Sequence, residues 1–142
     1  MLESTPGYAG IRGALAYNEA AFRRFLAADR ARAVRLQRCL FLVLVTIQHR
    51  PGRAALLPNR VARSVFLALG ATIREVDLAG WFREQRVAAA LLVQGPQPPE
   101  SAAAQIAARI RPAVEMRLSK SQARALRIRV VRLGNPFTVE GS

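Results

Sequence analysis

The chain alternates between segments with helical periodicity and short, densely apolar segments. From about Ala16 to Gln37, Phe22, Phe25, Leu26, Ala33 and Leu36 recur near one face while arginines fill much of the other, which predicts an amphipathic helix. The run Leu40–Ile47 is continuous and β-prone, the pattern of a central strand covered on both sides. Pro51-Gly52 then breaks the chain. A second helix is predicted from Pro58, suited to a first helical turn, to Leu69, with Gly70 as its stop; Val61, Val65, Phe66 and Leu69 form its apolar stripe. Two strands follow, about Val76 to Phe82 and Arg86 to Val93, joined tightly through Arg83, Glu84 and Gln85. Gln94–Pro99 reads as a loop. A third helix is predicted over Ser101–Leu118, kinked or interrupted by Pro112. Leu126–Leu133 alternates apolar and basic residues, a half-exposed strand.

The order is therefore helix, strand, helix, hairpin, helix, strand. Without the first helix it is β-α-β-β-α-β, so the expected fold is α/β (α+β): a ferredoxin-like sheet with an additional N-terminal helix. The 142 residues favour one domain. Residues 1–13 and 134–142 are expected to be tails around a domain spanning 14–133.

Composition narrows the setting. Hydrophobic residues make up 51% of the chain and charged residues 22%, a globular rather than disordered balance. The longest apolar run, Cys39–Ile47, is too short to span a bilayer, no signal-peptide pattern precedes the first helix, and one cysteine excludes an intrachain disulfide. A cytoplasmic protein is expected. The net charge is +13, almost all of it arginine, with Lys120 the only lysine. One reading is codon bias in a GC-rich genome; the other is an anionic partner, since the arginine fork grips phosphates and guanine edges through paired hydrogen bonds.

Candidate chemistry is sparse. Asp29 and Asp77 are the only aspartates, His49 the only histidine and Cys39 the only cysteine, so neighbours in sequence assemble no metal cluster. His49 reads as a strand-end residue rather than a base. No phosphate-binding or dinucleotide fingerprint is present. No catalytic residue, metal or cofactor is expected.

Several strings, in order, resemble the GGDEF domain of diguanylate cyclases over roughly Ala14 to Leu133. Ala-Tyr-Asn-Glu-Ala-Ala-Phe22 resembles the opening T-G-L-x-N-R-x-x-F, keeping Asn18 and Phe22; Phe41–His49 resembles the first strand L-L-L-D-I-D-H. Asp77-Leu-Ala-Gly-Trp-Phe82 resembles the D-L-x-A-R-Y before the signature, and Ile106-Ala-Ala-Arg-Ile-Arg111 the later I-A-E-R-I-R. The departures carry more information. Where the family's magnesium-binding aspartate stands the chain has Thr46, and Gln48 replaces the next aspartate. The signature itself falls on Arg83-Glu84-Gln85-Arg86-Val87: its double glycine becomes Arg83 and Glu84, and its metal-binding third position is Gln85. The segment between Thr46 and Arg74 is several residues short, and the guanine-reading N-D-x-x-G-H-x-x-G-D stretch is missing. Neutral side chains do not supply the negative charge that a divalent cation and triphosphate require, so the resemblance implies a degenerate domain without cyclase activity.

One family feature persists. Active members often carry an inhibitory product site, R-x-x-D, whose aspartate lies five residues before the signature; Arg74-Glu75-Val76-Asp77 has this register, and Arg109 matches the arginine that usually completes the site from the following helix. The resemblance thus implies a receptor for cyclic di-GMP that acts on a protein partner, in exopolysaccharide or biofilm control, with two copies able to share an intercalated ligand pair. Guanidinium groups suit phosphates and the guanine O6/N7 edge, and a carboxylate suits the guanine N–H groups. The alternative is an ordinary surface ion pair, with Arg109 a solvated helix arginine. Trp81, where the family has an arginine, reads as packing. Two other functions stay open: a nucleic-acid-binding module, which the charge and element order permit but the 6% aromatic content disfavours, and a structural dimerisation or docking domain.

Overall fold

The computed structural model describes residues 16–72, 78–94 and 98–133. The expected tails at 1–13 and 134–142, and the pair Arg74 and Asp77, lie outside the described residues.

The elements run α1 (Glu19–Leu36), β1 (Cys39–Ile47), α2 (Asn59–Thr72), β2 (Leu78–Arg83), β3 (Val87–Gln94), α3 (Ala102–Glu115), α4 (Lys120–Ala125) and β4 (Leu126–Leu133). They build one antiparallel sheet in the order β2-β3-β1-β4. This is the expected ferredoxin-like arrangement with an extra N-terminal helix. β1 is central, pairing with β3 from Cys39↔Gln94 to Val45↔Ala88 and with β4 from Leu40↔Leu133 to Ile47↔Leu126.

Strand parity sorts the core into two layers. Phe41, Val43, Val45 and Ile47 join Ala88, Ala90 and Leu92 on the face covered by α2 and α3, which contribute Val65, Phe66, Leu69, Ile106, Ile110 and Val114. Leu40 and Leu42 join Ala89 and Leu91 on the other face, beneath Phe22 and Ala33 of α1. Trp81 is 2% exposed and meets Phe66 edge-on at 5.0 Å, which bears out the packing reading.

α1 starts at Asn18, whose side chain accepts from Ala21 N–H at 2.9 Å, and ends at Gln37 in the left-handed region (φ 54°). Its buried line is narrower than the periodicity suggested: Phe25 and Leu36 are 38% and 56% exposed. Each lies three residues after a buried position, Phe22 or Ala33, hence about 60° round the helix from it.

Three boundaries differ from expectation. Gly70 is not a stop; α2 continues to Thr72, whose hydroxyl donates to the Ala68 and Leu69 carbonyls, since one glycine costs only about 1 kcal/mol in a helix. Pro112 does not break α3 either; it sits exposed and the helix runs on to Glu115. That helix does not reach Leu118. A separate α4 begins after a reciprocal cap, Ser119 Oγ accepting from Gln122 N–H and Gln122 Oε1 from Ser119 N–H, both at 3.1 Å. Ser119-x-x-Gln122 is a capping-box pattern, a sequence signal for a new helix start within the expected single helix.

Two glycines should respond oppositely to alanine. A Cβ on Gly80 would stand 2.7 Å from the Tyr17 carbonyl oxygen and 2.9 Å from the Phe22 ring, whereas one on exposed Gly70 meets nothing within 4 Å. In urea titrations Gly80→Ala should lower stability by about 1–3 kcal/mol, and Gly70→Ala should raise it by about 0.5–1 kcal/mol.

Cys39 is buried, and burial pushes its thiol above the ordinary range, with the Arg132 guanidinium pulling the other way. Its contribution to stability is then full below the unfolded-state pKa and is lost as pH rises through the folded one. At mildly alkaline pH, Ellman's reagent should label Cys39 slowly in the folded protein and rapidly in guanidinium; equal rates would contradict this burial.

Candidate functional site: a basic cleft on the open half of the sheet

α1 covers only part of its face of the sheet. Beyond it, Leu44, Thr46, Arg127 and Arg129 share that face and line a cleft of about 420 Å³ together with Gln48, Phe82, Arg83 and Val87. No carboxylate is among its described lining residues.

The two positions that resemble the family's aspartates meet here. Gln48 Nε2 donates to Thr46 Oγ1 at 2.9 Å, and the Gly52 N–H donates to Gln48 Oε1 at 3.0 Å. Both oxygens therefore already accept from the protein. Gly52 sits at φ 78°, a conformation suited to glycine, and that turn delivers its N–H to the pair. Arg127 is partly committed, donating to the Arg124 and Leu126 carbonyls at 3.4 and 3.0 Å. Arg83 and Arg129 make no hydrogen bond or ion pair through their guanidinium groups with any described residue.

The signature positions take up the hairpin between β2 and β3. Gln85 is at its tip with φ 58°, and its side chain turns from the cleft toward α2, reaching Asn59 Oδ1 at 3.5 Å. The structure thus does not bring Gln85 to Thr46. The hairpin is fastened on both sides. Toward α2, the Leu57 N–H donates to the Gln85 carbonyl at 2.7 Å and Arg86 Nη1 to the Ala54 carbonyl at 3.0 Å. Toward α1, Glu19 and Glu84 cross over: Glu84 N–H donates to Glu19 Oε1 at 2.6 Å and Glu19 N–H to Glu84 Oε1 at 3.1 Å. Arg23 adds two bonds to the Phe82 carbonyl, at 3.0 and 2.7 Å, with its guanidinium 4.4 Å from the Phe82 ring centre. The sequence carried no signal for this latch, because its partners lie up to 65 positions apart.

Of the expected ligand-binding trio, Arg109 alone is described. It is exposed on α3 between buried Ile106 and Ile110, and its guanidinium has no partner among the described residues. Leu78, directly after Asp77, opens β2 opposite Leu91 of β3. His49 is exposed just past β1.

The latch predicts a local effect. Arg23→Ala should speed amide hydrogen exchange at Arg83 to Val87 while shifting global stability by less than about 1 kcal/mol. Unchanged hairpin exchange would contradict the latch.

No protein-family model matches this sequence, and no curated protein matches it in sequence. Solved structures do match in fold. The GGDEF domain of FimX from Pseudomonas aeruginosa is 18% identical, with a TM-score of 0.68 over 93% of this chain and 83% of that one. The GGDEF domain of DgcB from Caulobacter crescentus, solved in complex with c-di-GMP, is 18% identical, with a TM-score of 0.60 over 87% and 76%. The diguanylate cyclase SiaD of Pseudomonas aeruginosa, solved with its activator SiaC, is 19% identical with a TM-score of 0.61; 92% of this chain matches 50% of that one. Joined to the sheet order and hairpin described above, these likenesses establish that the chain has the fold of a GGDEF domain.

Proposed function

We propose that this chain is a GGDEF-like regulatory domain without cyclase chemistry, which receives cyclic di-GMP through Arg74, Asp77 and Arg109. The observation that carries the loss of catalysis is the Thr46–Gln48 pair. A magnesium ion prefers anionic oxygens in near-octahedral array. Here a hydroxyl and an amide stand instead, each oxygen already accepting a protein hydrogen bond. The arginines that line the same cleft would repel a divalent cation further.

Support for the ligand comes from register and from chemistry. R-x-x-D precedes the signature positions by the family's five residues, and DgcB, similar in fold, has been solved with c-di-GMP. In this reading the two arginines take phosphate or the guanine O6/N7 edge, and Asp77 accepts from guanine N–H groups. The output is a protein partner in exopolysaccharide or biofilm control, and two copies can share one ligand pair.

Two measurements test the halves separately. Incubation with GTP and magnesium should yield no cyclic product, and detectable turnover would refute the loss of catalysis. Calorimetry with cyclic di-GMP should give micromolar binding. Arg74→Ala, Asp77→Ala and Arg109→Ala should each weaken it by about tenfold or more, the equivalent of one good base or phosphate contact at about 1–3 kcal/mol. Absence of heat and of a thermal shift at saturating ligand would sink the receptor half and leave the catalytic half standing.

A further inference from the structure

A second cleft, of about 430 Å³, adjoins the first. It is lined by His49, Arg50, Arg53 and Arg86, and Ala54 borders both. The combined groove draws Arg50 and Arg53 from the loop after β1, Arg83 and Arg86 from the hairpin, and Arg127 and Arg129 from β4. Among the described residues, neither cleft is lined by a carboxylate. The nearest acidic residue of the hairpin, Glu84, is turned to the Glu19 N–H. Arg50, Arg53, Arg83 and Arg129 make no side-chain hydrogen bond or ion pair with any described residue. One helix face rich in arginine is an ordinary solvated surface. Three segments distant in sequence that bring six arginines around two clefts sharing Ala54 make a concentrated positive field, with no carboxylate among the described lining residues.

We infer that this groove binds a single-stranded nucleic acid along its phosphodiester backbone. Two adjoining clefts suit a linear polyanion better than an isolated anion. Planar guanidinium forks match phosphate oxygens through paired hydrogen bonds. The floor of the first cleft carries apolar surface from Leu44 and Val87, which gives unpaired bases a surface that a duplex does not use. The arginines stand around two adjoining clefts rather than along one flat face, which suits a strand better than a bilayer. The inference is independent of cyclic di-GMP binding, because none of these residues belongs to the Arg74, Asp77 and Arg109 trio.

Fluorescence anisotropy of the full chain with labelled 20-mers of oligo-U and oligo-dT tests it. Both strands should bind, with a log–log salt slope of about −0.7 for each phosphate contacted; a preference for one would identify RNA or DNA as the source. The double substitution Arg83→Ala with Arg129→Ala should raise Kd by about tenfold or more and flatten the slope by about 1–1.5, and lysine at both positions should regain most of the affinity. Removing three α1 arginines, Arg24, Arg30 and Arg35, should change Kd by less than about threefold although more charge is lost. Melting curves of each variant check that it is folded. An equal loss from the α1 variant would mean diffuse charge attraction and overturn the site. Competition by poly-glutamate as effective as by unlabelled oligo-U would assign the groove to an acidic protein instead, as preferential capture by anionic vesicles would to a membrane. Arg74→Ala should leave oligonucleotide binding intact, so failure of the receptor reading leaves this test decisive.

Discussion

The whole arrangement depends on burying β1 from two sides. Val43 and Val45 are fully buried beneath α2 and α3, and Leu40 and Leu42 are buried on the α1 side. A slip of one residue would exchange the two sets of side chains, bringing Thr46 under the helix pair and Val45 to the cleft. That is a polar-for-apolar swap the core would resist. The same constraint explains where the cleft lies. α1 reaches across the sheet only as far as its buried line permits, so the far end of β1 and the adjacent stretch of β4 stay uncovered. The arginines are tolerated there because water reaches them, and buried Thr46 because Gln48 donates to its hydroxyl oxygen.

Most of the architecture was legible because it follows from periodicity. The nine-residue apolar run of β1, the 3.6-residue stripe of α2 and the alternation in β4 each reflect one dominant contact surface. Expectation and structure part where packing outweighs punctuation residues. Gly70 and Pro112 sit on solvent-facing positions of helices whose opposite faces are firmly held by Leu69 and Ile110, so tertiary burial outweighed the local penalty. The width of the α1 stripe was overestimated for a related reason: sequence shows which residues are apolar, not how much sheet is available to cover them.

The candidate site was legible one position at a time. Thr46, Gln48 and Gln85 could be matched to a resemblance, but their geometry could not. Two of them bond to each other while the third turns toward α2. Charge was equally opaque. A chain with 22 basic residues against nine acidic ones carries arginine everywhere, and nothing in the linear order separates those scattered along α1 from the six that converge. Folding creates that distinction by bringing the loop after β1, the hairpin and β4 to the same recess.

The contact between Tyr17 and Gly80 closes one margin of the sheet. Tyr17 N–H donates to the Ala79 carbonyl at 3.1 Å and Trp81 N–H to the Tyr17 carbonyl at 2.9 Å, so the chain just before α1 occupies the otherwise open side of β2 in parallel fashion. An exposed strand margin is a template on which further chains can stack. Here a single residue blocks it, and only the missing side chain of Gly80 lets that residue come close enough. Tyr17 therefore serves as a guard rail for that margin, and the helix that follows shields the apolar face behind it.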